Sequence, residues 1–173
     1  EHYTDNGEWM TFSRLILIDS AENVTISGRG IIDGNGAALR AQGKPANLIR
    51  IRNSRNVRIE GILLRDPAAW NTHIHYSDDV MIRDVKLIND ATVPNTDGFD
   101  PDASRNVLIE DCFAYCSDDN VAVKTTGYSG YLDDAAETAW NEYKKGIIDF
   151  VIAVLAGVTY LNFNGCGVHF LQW

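Results

Sequence analysis

Positive charge is in short supply in this chain. Its 15 Lys and Arg face 24 Asp and Glu, leaving a formal net charge of −9 and a pI near 4.8. A surface of that sign repels phosphate, which excludes nucleic acid and anionic membranes as partners. Cysteine is sparse as well. Three residues are an odd number, so they cannot all be paired within the chain. Cys112 and Cys116 lie four apart, without CxxC spacing, and Cys166 is remote. Buried free thiols are the expectation, with a Cys112–Cys116 bridge as the lesser alternative. The Cys and His pattern contains nothing like a zinc site, and neither metal nor cofactor is expected. A membrane-length apolar run is also lacking: the stretch 147–156 is too short and is interrupted by Asp149. No basic region followed by an apolar run marks a signal peptide near the N-terminus. The first residue is Glu1 rather than Met, which reads as a mature or excised fragment.

What the chain does have is a repeat. Asn23-Val24-Thr25-Ile26, Asn56-Val57-Arg58-Ile59, Asp79-Val80-Met81-Ile82 and Asn106-Val107-Leu108-Ile109 share one pattern. Ser54, Ser77 and Ser104 each precede it by two positions, and Ser20 leads the first copy by three. The leading Asn and Asp residues are 56 − 23 = 33, 79 − 56 = 23 and 106 − 79 = 27 positions apart. A unit of about 25 residues signals a solenoid. Period-2 alternation of β-branched residues argues for strands over helices. Leu15–Ile18 and Leu48–Ile51 supply a second strand per unit, and Asn or Asp suits a left-handed corner. The expected fold is all-β, a single-stranded parallel β-helix with coils about 4.8 Å apart. An antiparallel sandwich would have no reason to repeat Asn-Val-x-Ile at one phase.

At 173 residues with 45% hydrophobic content, the chain has the size of one domain. The repeat places the coils within residues 1–134. Residues 135–173 form a divergent tail, read as a helical cap over the open end of the coil or as a non-native segment. Helix-favouring residues run from Ala135 to Lys145, and the apolar stretch 147–156 is read as a helix protecting the sheet edge.

The repeat gives meaning to three carboxylates. Asp97 lies in Asn95-Thr96-Asp97-Gly98, and Asp118-Asp119 follows 118 − 97 = 21 positions later, one coil on. Each motif alone would be an ordinary turn or solvated corner; together they can meet on one surface. Hydrolysis of a glycosidic bond needs one carboxylic acid to protonate the leaving oxygen and one carboxylate to activate water. Crowding raises the pKa of at least one of them. Aligning coils on their serines puts Trp70 one coil below Asp97, His73 below Asp100 and His75 below Asp102. A column of indole and carboxylates would line a groove for an extended polymer, with the Trp70 ring at least partly exposed. Trp70, His73, Asn95, Asp100 and Lys124 are the substrate-contact candidates, Lys124 being equally suited to pairing with the acids. Asp78-Asp79 falls on the corner phase and is read as structural.

Asn95-Thr96-Asp97-Gly98-Phe99-Asp100-Pro101-Asp102-Ala103-Ser104-Arg105-Asn106-Val107 and Ser117-Asp118-Asp119-Asn120-Val121-Ala122-Val123-Lys124 resemble the polygalacturonases, glycoside hydrolase family 28. Gly28-Arg29-Gly30-Ile31-Ile32-Asp33-Gly34-Asn35-Gly36 resembles an early coil of the same enzymes, and the likeness runs over about residues 12–130. The resemblance implies a right-handed parallel β-helix that cleaves pectic backbones with inversion and without metal. It also implies Asp118 as general acid, with Asp97 and Asp119 holding the attacking water. Further implications are a polysaccharide partner, monomeric action, and an extracellular or periplasmic location. Coil stacking alone sets the acids about 5 Å apart, a spacing associated with retention; the resemblance favours inversion. Dextranases of a related family share the layout of acids and remain a substrate alternative. The family continues with Gly-His-Gly and Arg-Ile-Lys motifs; neither occurs here, and the residue 140 − 119 = 21 positions past Asp119 is Trp140. The chain therefore reads as the first half of such an enzyme joined to a divergent tail, inactive in isolation. A Ca²⁺-dependent polysaccharide lyase and a non-catalytic glycan-binding β-helix are the competing readings.

Overall fold

The structure is a computed structural model that describes residues 13–124, together with the backbone of residues 151–152, 161–164 and 167–170. Four coils rise along one axis, each contributing one strand to each of three sheets. The first sheet takes β1 (Ser13–Asp19), β4 (Ala46–Arg52), β7 (Thr72–His75) and β10 (Phe99–Asp102). The second takes β2 (Glu22–Ser27), β5 (Arg55–Glu60), β8 (Asp78–Arg83) and β11 (Arg105–Glu110). The third takes β3 (Ile31–Asp33), β6 (Leu63–Arg65), β9 (Lys86–Ile88) and β12 (Phe113–Tyr115). β13 (Val121–Val123) opens a fifth coil on the first sheet, and a short helix, α1 (Gly36–Ala41), lies between β3 and β4. All pairings among β1–β13 are parallel. The fold is a parallel β-helix.

The repeat dictates this register. Val24, Val57, Val80 and Val107 form one ladder, and Ile26, Ile59, Ile82 and Ile109 the next. In the three upper coils these side chains are fully enclosed; Val24 and Ile26, in the first coil, are partly covered. Ile18, Ile51 and Ile74 stack along the first sheet, as do Phe99 and Val121, and Leu64 and Leu87 stack along the third, so the interior is an apolar column. Each such side chain contributes on the order of 1.5–3 kcal/mol by leaving water.

The corners explain the polar half of the motif. Asn23, Asn56, Asp79 and Asn106 all have positive φ, between 50° and 60°. This left-handed conformation costs most residues about 1–2 kcal/mol, and Asn and Asp tolerate it best. The leading serines tie coil to coil. The Ser54 amide donates to the Ser77 hydroxyl at 3.2 Å, and the Ser77 amide to the Ser104 hydroxyl at 2.9 Å. Asp79 sits at its corner and pairs with Arg55 at 3.1 Å, as the structural reading of that acid pair requires.

Ala135–Lys145 lies outside the described residues. Of the stretch 147–156 the described residues are Val151–Ile152, which form β14, a strand that adds in parallel to β11. β16 (Gly167–Phe170) pairs antiparallel with β13 and with β15 (Leu161–Asn164). An unpaired parallel edge offers a row of N–H and C=O groups, and β-branched residues such as Val151 and Ile152 join it more readily than they form a helix. Cys112 and Cys116 are buried free thiols with no bridge between them. Among the described residues no helix is long and apolar enough to cross a membrane.

Ile82→Ala should destabilise the fold by about 2–5 kcal/mol, because the ladder leaves no slack to close the cavity. Ile31→Ala, on a side chain that is 60% exposed, should stay within about 0.5 kcal/mol. Urea unfolding of both variants checks the pair, and equal effects would contradict the inward and outward assignment.

Candidate active site

The segments that carry the three acids are held by the ladder itself. The Asn71 amide donates to the Asp97 carbonyl at 2.8 Å, and the Gly98 amide donates to the Asp119 carbonyl at the same distance. Gly98 must be glycine for reasons of space. A Cβ there would lie 2.4 Å from the Asn120 carbonyl oxygen of the next coil. Below, Asn89 Nδ2 donates to the Thr96 carbonyl at 2.7 Å, and Asn71 Nδ2 to Asn89 Oδ1 at 3.2 Å. The hydroxyls of Thr96 and Ser117 meet at 2.9 Å, and Ser117 also donates to the Val93 carbonyl. This brace was not anticipated, although a signal exists: Thr96 and Ser117 each precede a site acid and are 117 − 96 = 21 positions apart, the spacing of Asp97 and Asp118.

Asp97, Asp118 and Asp119 come together, with one carboxylate oxygen of each within 4.8 Å of the others. Their surroundings differ. Asp97 is buried, Asp119 is intermediate and Asp118 is exposed, so the cluster opens to solvent on the Asp118 side. The Asp119 amide donates to Asp118 Oδ1 at 3.0 Å. Lys124 Nζ lies 3.1 Å from Asp97 Oδ2 and 2.8 Å from Asp100 Oδ1. Burial pushes the Asp97 pKa up; the nearby Lys124 charge opposes this and the Asp118 charge adds to it, with a net rise above the usual carboxylate range. Burial raises Asp100 much further. Burial works against the Lys124 charge, but Asp100 and Asp97 outweigh it and hold its pKa above the ordinary lysine value. A divalent cation could in principle use three oxygens so spaced. Here an ammonium already supplies positive charge to the most buried of them, and no metal site is assigned.

The serine alignment places the remaining candidates in register. His73 pairs with Asp100 and His75 with Asp102 across β7 and β10. Exposure is another matter. Trp70 retains 4% of its surface, which corrects the expectation of an exposed sugar platform. Its ring face takes the Lys124 ammonium 3.4 Å from the centroid, and its ring meets His73 edge-on at 5.0 Å between centroids. Facing out of the coil is not the same as facing water, and the Lys124 ammonium occupies the space above the indole. His73 and Asp100 are also buried, the former with Nε2 3.0 Å from Asp102 Oδ2. Asn95 is exposed on the loop that leads into Asp97, with φ 56°.

Known proteins resemble this chain in sequence and in fold. Residues 2–129 match the family described as glycosyl hydrolases family 28. A Vitis vinifera protein named "Probable polygalacturonase" is 34% identical over 128 residues, covering 69% of this chain and 26% of its own length. The chain thus spans about a quarter of that relative. Two solved structures share the fold. An exopolygalacturonase from Thermotoga maritima superposes with a TM-score of 0.58 at 24% identity, over 66% of this chain and 35% of that one. An endo-xylogalacturonan hydrolase from Aspergillus tubingensis gives 0.55 at 23%, over 63% and 33%.

The buried histidines yield a pH dependence. Burial lowers the His73 pKa against the pull of Asp102, and lowers His75 from an ordinary 6.5 to about 3. The unfolded chain takes up these protons near pH 6.5 while the native rings do not. Stability is therefore whole above that pH and declines as pH falls toward 3, by at most about 1.4 kcal/mol per pH unit for each ring. Urea midpoints measured from pH 7 to pH 5 should fall with pH, and less steeply in His75→Gln. A flat profile would contradict neutral burial.

Proposed function

The chain belongs to glycosyl hydrolases family 28, and from that premise we propose that Asp97, Asp118 and Asp119 form the catalytic face of a glycosidase acting on a pectic polysaccharide backbone. The observation that carries this reading is the convergence of one buried, one half-buried and one exposed carboxylate within 4.8 Å. Such a set offers a proton donor open to an incoming polymer beside a sheltered pair of acceptors.

In this reading Asp118 gives its proton to the leaving glycosidic oxygen as the C–O bond breaks. Asp97 and Asp119 orient a water whose oxygen bonds to the anomeric carbon, and they accept the proton it releases. Attack from the face opposite the leaving group inverts the anomeric configuration. No cofactor enters. Asn95, exposed beside Asp97, contacts the sugar; His73 and Asp100 support the wall from beneath. The names of the relatives point to galacturonan-type polymers, and an acidic protein of this kind would work as a monomer outside the cell or in the periplasm, with no nucleic-acid or membrane partner. The interaction with a pectic chain then depends on local contacts, since a net charge of −9 repels a polyanion at long range.

In the full-length protein, Asp118→Asn should reduce turnover by about 10²–10⁴-fold with polymer binding retained, because the amide keeps the shape but cannot deliver a proton. Asp79→Asn, at a corner away from the site, should leave turnover nearly unchanged. Reducing-end release on polygalacturonan measures both. Equal loss in the two variants would point to misfolding; unsaturated, ultraviolet-absorbing product ends would replace hydrolysis with a lyase reaction. Binding without any cleavage would leave a glycan-binding module.

A further inference from the structure

We propose that Lys124 is a positioning residue for Asp97, keeping that buried carboxylate ionised and aimed toward the water-holding side of the acid cluster, rather than a contact for substrate. The inference deepens the glycosidase reading and rests on it.

Three neighbours hold the Lys124 ammonium. Asp97 Oδ2 is 3.1 Å away, Asp100 Oδ1 is 2.8 Å away, and the Trp70 ring centroid is at 3.4 Å. The stem is anchored as firmly. The Lys124 amide donates to the Pro101 carbonyl at 2.7 Å, and its own carbonyl accepts from the Ala103 amide at 2.9 Å, so it enters the site from the end of β13, tied to the coil that carries β10. Its side chain is 19% exposed. An ammonium has three donors, and two carboxylates and an aromatic face surround this one, leaving little freedom to follow a sugar carboxylate.

The electrostatic need is specific to Asp97. It is removed from water and lies beside Asp118 and Asp119, so desolvation and like charge both favour its neutral form. A neutral acid cannot take a proton from water. The other groups facing it offer no counter-charge. Asp100, on β10, is a further acid, and burial keeps the Cys116 thiol protonated. On the far side of Lys124, burial holds the His73 ring neutral. Among the described residues, Lys124 is the one cation within ion-pair distance of Asp97. Asp100 and Trp70 have a derived role: they fix the cation. Asp100 is fully enclosed and supplies the second carboxyl oxygen, while Trp70 closes the remaining face. The burial of both, unexpected for groove-wall residues, has its reason here.

The test reads the Asp97 proton directly, by carbon NMR titration of its carboxyl in the full chain. In Lys124→Met the Asp97 pKa should rise by about one unit or more, as expected when an opposite charge within about 4 Å is removed. Lys124→Arg should restore most of the difference. An unmoved Asp97 in folded Lys124→Met overturns the proposal. Should that variant fail to fold, the coupling can be read from the other partner, since linkage is reciprocal. In Asp97→Asn the Lys124 amine pKa should fall, and an unchanged value overturns the proposal equally. In active full-length protein, Lys124→Met should move the acid limb of the kcat/KM profile to higher pH with KM for polygalacturonan little changed. A raised KM with an unmoved acid limb would assign Lys124 to substrate contact instead. If the unsubstituted protein cleaves no glycan, the glycosidase reading fails by itself, because the titrations still report whether Lys124 holds the Asp97 charge.

Discussion

Strict phase between coils is the constraint on which everything else in this protein depends. Each residue of a strand sits over its counterpart one coil away, and the backbone ladder allows no slippage. A shift by one position would turn Val57 and Ile59 outward and bury Arg58. Paired left-handed residues at the same corner of each coil keep the phase: Ser20 and Asn23, Asn53 and Asn56, Tyr76 and Asp79, Ala103 and Asn106. Tyr76 and Ala103 are poor choices for that conformation. Their amides are held by the next coil, at the carbonyls of Asp102 and Lys124. Local strain is thus sustained by a non-local bond, which is how a repeating scaffold tolerates imperfect copies.

The same phase brings the acids together, and so creates an electrostatic difficulty. Carboxylates one coil apart repel, and the one nearest the sheet loses water as well. The first sheet meets this on its outward face with a stack of charged and polar side chains. Arg50, His73 and Asp100 fall on one register row; Arg52, His75, Asp102 and Lys124 fall on the next. Such a stack is stable only when charges are paired or neutral. The two histidines lose their charge, while Lys124 keeps its own between two acids. The resulting site is asymmetric: an acid open to solvent at Asp118 and a buried acid with a fixed counter-ion at Asp97. One acid is open to whatever approaches from solvent, and the other is sheltered beside its counter-ion.

Much of this could be read before any coordinates. Asn-Val-x-Ile repeated with a leading serine specified the strands, the corners and the register, because period-2 burial and left-handed corners are local properties of the chain. The serine offset also placed Trp70, His73 and His75 under Asp97, Asp100 and Asp102, since in a coil sequence distance translates directly into stacking. The strand at Val151–Ile152 was missed because its partner, β11, lies 151 − 108 = 43 positions earlier at Leu108. Edge pairing at that range leaves no mark on a local apolar run.

The sequence by itself therefore determined the coil, its phase and the meeting of Asp97 with Asp118 and Asp119. Only the tertiary structure decided which of those acids faces water, why the Trp70 ring is covered, and that Lys124 binds Asp97 and Asp100. Phase states which way a side chain leaves its strand. Solvation and ion pairing depend on what approaches from outside the strand, where a flexible lysine stem can reach several partners and the geometry of the whole face selects among them.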